Sequence, residues 1–211
     1  MAGTHDGSDL AKAATGQLAT FLIDLSPADM RRRLDEALTV YVDAMRYPRG
    51  TEEQRASMWL EHAERPGWRA VAAVESDDAG PDALAGGPLL GVAYGYCGAP
   101  DQWWQQQVVR GLQRIGVPRE EISRLMSDYF ELTELHIHPS AQGRGLGEAL
   151  ARRLLAGRAE ANVLLSTPEI SDEANRAWRL YRRMGFTDVI RGYHFAGDPR
   201  AFAILGRRLP L

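Results

Sequence analysis

Cysteine and lysine each occur once in this chain, as Cys97 and Lys12. A single cysteine excludes an intramolecular disulfide and any zinc site built from several thiolates. With one lysine, arginine carries nearly all the positive charge, a skew that suits a GC-rich genome better than any particular function. Long apolar runs are missing too. The opening stretch MAGTHDGSDLAKAATGQLA holds neither a signal-peptide core nor a membrane span, so a cytoplasmic protein is expected. Charge of one sign is not in excess: the net charge is −3, which gives no reason to expect nucleic acid or an anionic membrane as partner. A metal site is not expected either.

The 211 residues are 45% hydrophobic and 25% charged, ordinary values for one globular domain with a sizeable core. Residues 1–19 are small and polar and are expected to be flexible, with the domain running from 20 to 211. FLIDL at Phe21–Leu25 reads as a first strand. Ser26-Pro27 then supplies an N-cap and first helical residue for a helix from Ala28 to about Met45. A second helix is expected from Thr51 to about Glu64, followed by strands at Trp68–Val74 and Leu89–Tyr96 around a Gly/Pro/Asp-rich loop. Residues 101–129 predict a helical insertion: Trp104, Val108, Leu112 and Ile115 share a helical face, Asp101 is suited to cap it, and a shorter helix begins at Pro118. Phe130–His138 reads as the fourth strand and Asn162–Ser166 as the fifth, with a helix between them. Asn175–Met184 reads as a helix stopped by Gly185, and two closing strands complete the chain.

The chemistry concentrates at Gln142–Gly147 (QGRGLG), a glycine-rich turn between a strand and a helix. The first amides of a helix have no partners inside it, and the helix dipole places partial positive charge there. Gly143, Gly145 and Gly147 carry no side chain to hold a pyrophosphate away from those amides, and Arg144 adds a charge and a planar donor set. A plain tight turn is the alternative. The absence of GxxxxGK[ST] disfavours a P-loop NTPase. A dinucleotide-binding unit would need its GxGxxG after the first strand, not two-thirds of the way along the chain.

LHIHPSAQGRGLGEAL resembles the signature of the GNAT N-acetyltransferase superfamily, [QR]-x-x-G-x-[GA] after a strand, with Gln142, Gly145 and Gly147 in its defined positions. NRAWRLYRRMGF (Asn175–Phe186) is similar to the family's second motif, and the order of elements agrees from about residue 21 to the end. The resemblance implies an α/β (α+β) domain whose mixed sheet is splayed between strands 4 and 5. The pantetheine arm of acetyl-coenzyme A, a cosubstrate, would lie in that V. It further implies that the main chain of Leu135, His136 and Ile137 pairs with pantetheine, one amide serving the thioester oxygen. The loop, Leu146 included, would hold the pyrophosphate, and Asn175 would contact pantetheine or phosphate unless it is only a helix cap.

The implied reaction is direct attack of a primary amine on the thioester. Tyr181 would protonate the leaving sulfur; its alternative is a buried core tyrosine. Glu131 matches the family's glutamate by offset, while Glu134 lies three residues on. On a regular strand these two face opposite sides, and a bulge would bring them together. His136 and His138 could relay a proton instead, as could ordered water. A longer acyl donor, a non-catalytic acyl-coenzyme A sensor, and an unrelated nucleotide-phosphate binding module stay open as alternatives. The insertion at 101–129 is expected either to shape the acceptor pocket or to serve as packing, including a homodimer contact. Cys97 reads as a small core residue.

Overall fold

In the computed structural model, residues 19–77, 87–169 and 176–211 are described. Asn175 and most of the loop at 78–86 therefore lie outside the described residues. The chain begins with strand β1 (Ala19–Leu25), then helices α1 (Pro27–Arg32), α2 (Leu34–Met45) and α3 (Thr51–Ala63). Strands β2 (Arg69–Ser76) and β3 (Leu89–Cys97) follow, then helices α4 (Trp103–Arg114) and α5 (Arg119–Met126). Strand β4 (Tyr129–Ile137) leads to α6 (Leu146–Leu155), β5 (Asn162–Pro168), α7 (Arg176–Arg183), β6 (Thr187–Tyr193) and β7 (Phe202–Arg208).

Ser26 caps α1 as its sequence position suggests, in a capping box with Asp29. The single helix expected over 28–45 is instead two, broken at Arg33 (φ −106°, ψ 16°). No glycine or proline marks that break. The Arg33 guanidinium reaches the Gly87 carbonyl at 2.7 Å, 54 positions away, so the interruption is tertiary in origin. Asp101 does not cap α4; Gln102 stands there, without a side-chain cap bond.

The seven strands form one mixed sheet in the order β1-β2-β3-β4-β5-β7-β6. Every neighbouring pair is antiparallel except β4 and β5, which pair in parallel only over Tyr129–Glu131 with Asn162–Leu164. From Leu132 onward the edge of β4 facing β5 is unpaired, while its other edge stays bonded to β3 as far as Ile137. The sheet therefore opens into a V with β4 as one arm.

Side-chain alternation divides the core by face. Val71, Ala93, Phe130, Val163 and Leu205 turn toward α6 and α7, joined by Leu150, Leu154, Trp178 and Phe186. On the opposite face, Ala72, Val92 and Tyr94 pack under α1–α3 through Met30, Leu38 and Trp59. On that same opposite face, Leu164 and Ile204 pack under the insertion through Trp104, Val108 and Ile122. The insertion thus has a core of its own, and α3 and α4 stand on either side of β4. Of the adjacent tryptophans, Trp104 is buried while Trp103 is 53% exposed.

Candidate active site

The strand β4 carries an irregularity that decides the site. Tyr96 pairs with Glu131, Gly95 with Leu132, and Tyr94 with Glu134, so Thr133 is an extra residue without a cross-strand partner. Alternation is reset across this bulge. Glu131 and Glu134, which a regular strand would separate, both stand opposite the tyrosines of β3 on the face covered by α1–α3. Gly95 makes the bulge feasible: a Cβ there would lie 2.1 Å from the Glu131 carbonyl oxygen and 2.5 Å from the Phe130 ring.

Glu131 is 3% exposed. Its Oε1 accepts from the Tyr96 hydroxyl at 3.3 Å, and among the described residues its Oε2 has no partner. Burial pushes its carboxyl up to about 8, with nearby Arg65 and the Tyr96 hydrogen bond opposing and Glu134 reinforcing. A group poised near neutrality with one free oxygen is able to take a proton from a cation. Glu134 instead forms a 2.5 Å contact with His136 Nε2, and the His136 ring lies edge-on to Tyr41 at 4.9 Å. His138 turns away, to Ser140 at 2.7 Å and Asp43 at 3.3 Å.

Tyr181 on α7 belongs to the core on the other face, beside Phe186. Burial, then the negative charge of Glu134, holds its hydroxyl well above the usual tyrosine range, so it stays a proton carrier. It is buried, and Glu134 lies within electrostatic reach of its hydroxyl. Leu135 and Ile137 point their side chains into the core, leaving their main chain on the open edge of β4.

At the mouth of the V, Gly145 is the N-cap of α6 with φ +79°, and no side chain caps the helix. Space is open where side chains at Gly143 and Gly145 would stand, whereas a Cβ at Gly147 would press on Leu180 at 3.2 Å. Gln142 is held from both sides: it donates to the Ile137 carbonyl at 3.1 Å and accepts from Arg176 at 2.7 Å. Arg144 is turned to Thr20 at 2.8 Å, with Glu75 at 3.8 Å, on the β1–β2 edge. Leu146 is half-buried against the main core, so its amide is what it offers. Exposed glycines, uncapped helix amides and an unpaired strand edge are what an extended ligand ending in phosphates requires. If the loop holds acetyl-coenzyme A as the sequence resemblance implies, replacing Gly145 by Val should raise KM for it at least tenfold with little change in kcat, measured by steady-state kinetics, because φ +79° is strained for a β-branched residue.

Sequence reasoning missed two features. Tyr96, which holds Glu131, read only as a strand residue, although its cross-strand position follows once β3 and β4 are paired. Arg65 sat beyond the end of a helix with nothing local to mark it. Cys97 is half-buried, and its thiol donates to Glu160 at 3.0 Å; burial and that carboxylate raise it, so it stays protonated. Among the described residues no cluster of His, Cys, Asp and Glu could hold a metal, and no helix is long and apolar enough to cross a membrane.

Comparison with known proteins agrees with this geometry. Residues 99–188 match the family model described as acetyltransferase (GNAT) domain. The chain is 73% identical over 206 residues to GCN5-like protein acetyltransferase Rv2170 of Mycobacterium tuberculosis, covering 92% of this chain and all of that one. Among solved structures, Arabidopsis thaliana NAA60 in complex with acetyl-CoA is similar in fold (TM-score 0.58, 17% identity, 90% of this chain and 99% of that one). So is the ribosomal-protein-S18-alanine N-acetyltransferase of Escherichia coli (TM-score 0.56, 18% identity, 92% and 96%). With the V, the glycine loop and these matches together, the chain belongs to the GNAT family and is an acetyltransferase.

Proposed function

We propose that this enzyme moves the acetyl group of acetyl-coenzyme A to the side-chain amine of a protein lysine, by direct attack of the amine on the thioester. The observation that carries the reading is the bulge, which sets Glu131 and Glu134 together beside the unpaired edge of β4. The name of the 73% identical relative, a protein acetyltransferase, supports a protein as acceptor.

The main-chain amides from Gly143 to Gly147, oriented by Gln142, would hold the pyrophosphate, and the free edge of Leu135–Ile137 would hold pantetheine. The cosubstrate supplies the activated acetyl group; the chain's residues handle protons. Glu131 takes one from the acceptor ammonium through its free oxygen, because only the neutral amine has a lone pair for attack. Glu134, kept busy by His136, adds negative charge that draws the ammonium in. Tyr181 gives a proton to the departing sulfur. Replacing Tyr181 by Phe should lower kcat about a hundredfold while calorimetric affinity for acetyl-coenzyme A stays within twofold. Unchanged kcat would remove the tyrosine from the reaction.

A thiol-release assay on a panel of lysine peptides and small amines tests the acceptor. Turnover confined to small amines would overturn the protein-lysine reading, and no calorimetric binding of acetyl-coenzyme A at millimolar concentration would overturn the cosubstrate.

A further inference from the structure

Two stacks converge on the acidic pair, one from α3 and one from just past its end, and each places an arginine over a tyrosine ring. In one, the Arg65 guanidinium lies 4.5 Å over the ring of Tyr96, whose hydroxyl donates to Glu131. In the other, Arg55 lies 6.0 Å over the ring of Tyr41, which meets His136, the partner of Glu134. Each carboxyl is thus approached through a ring capped by an arginine. Among the described residues neither arginine has a carboxylate at ion-pair distance; the only side-chain hydrogen bond to Arg55 is with Met58 sulfur.

That is unusual on this surface. Acids outnumber bases in the chain, 28 against 25, and nearby arginines are paired: Arg31 with Glu64, Arg49 with Asp43 and Glu52, Arg200 with Asp198. Arg55 and Arg65 are half-buried and make no ion pair among the described residues, their charge being felt by Asp198 and by Glu131 respectively. Their joint effect is visible on His62 between them, which burial first, then Arg65 and Arg55, depresses to about 4.

Resting on the lysine-acceptor reading above, we propose that Arg55 and Arg65 select the acceptor: a lysine in a protein segment with acidic side chains on both flanks. Arg55 stands eight residues before the end of α3, about 12 Å along the helical axis, and Arg65 follows just past that end. An extended segment advances about 3.3 Å per residue, so this span corresponds to acids near two positions before and two after the lysine. The lysine ammonium goes to Glu131 and Glu134, and the flanking carboxylates go to the two guanidiniums.

The experiment compares three peptides of equal length with one central lysine and Asp, Ala or Arg at both the second preceding and second following positions. With acetyl-coenzyme A saturating, kcat/KM for the Asp peptide should exceed that for Ala about tenfold at low salt. The Arg peptide should fall below both, and the spread should shrink as ionic strength rises. Because Arg65 also influences Glu131, the reading is the Asp-to-Ala ratio within each enzyme. In the Arg55→Gln/Arg65→Gln enzyme that ratio should approach one, and in Arg55→Lys it should persist. Equal turnover of all three peptides, or a ratio unchanged in the double variant, would overturn this inference alone. So would free aspartate or glutamate being the better acceptor. Absence of transfer to every peptide would overturn the lysine reading with it.

Discussion

Glu131→Gln is expected to lower kcat by two to three orders of magnitude while leaving acetyl-coenzyme A affinity nearly unchanged. Loss of a positioned proton acceptor typically costs a factor of 10² to 10⁴. The amide preserves shape and can still accept from Tyr96, so the fold is retained. The pH profile supplies the diagnostic. Burial raises the Glu131 carboxyl to about 8, and a base works only when deprotonated, so kcat/KM should rise with pH and level off above about 8. In the variant that limb should disappear. Stability should move the other way. The folded state keeps the proton between the ordinary carboxylate value of 4.5 and about 8, where the unfolded state has lost it. Wild-type stability is therefore fullest below 4.5 as far as this group is concerned, falls as pH rises through that window, and is flat above it. Chemical denaturation at several pH values would measure this: a Glu131→Gln enzyme with the wild-type slope across the window would show that the buried carboxyl is not the group responsible.

Much of this arrangement can be read before any coordinates, and the parts that cannot share a physical cause. Helix caps and glycine turns are local: Ser26-Pro27 and Gly145 act through neighbours within a few positions, so the starts of α1 and α6 follow from their own residues. The V is legible because its two arms are separate apolar runs flanking a recognisable loop. The pairing of Glu131 with Glu134 is different. Their spacing alone puts them on opposite faces, and only the cross-strand register, with Thr133 left over, brings them together. Contacts made across long separations stay hidden for the same reason. Arg33 breaks the first long helix by reaching Gly87, and Tyr96 meets Glu131 from 35 positions away. The acceptor side proposed above is therefore the least legible part: it draws on α3, β3 and β4, no two of which signal their alignment in sequence.

Gly95→Ala should be severely damaging for the addition of a single methyl. The new Cβ would sit 2.1 Å from the Glu131 carbonyl oxygen and within 2.7 Å of two Phe130 ring atoms, one obstacle being backbone and the other a fully buried ring. Neither can yield by rotating a flexible tip. Overpacking of this kind costs about 3 kcal/mol, and in a chain of this size each kcal/mol shifts Tm by about 2–4 °C, so a fall of roughly 6–12 °C is expected by calorimetry. The functional effect should exceed the stability effect. Relief of the clash requires β3 and β4 to move apart at the bulge, where Thr133 is accommodated and the alternation of β4 is reset. If the strand regularises there, Glu134 passes to the other face, its contact with His136 is lost, and Glu131 stands alone. Activity assayed well below the new Tm should then fall at least a hundredfold, while acetyl-coenzyme A, which on the proposed reading is held mainly by the α6 loop, still binds. A folded Gly95→Ala enzyme with near wild-type kcat would show that the two carboxylates act without the geometry the bulge imposes.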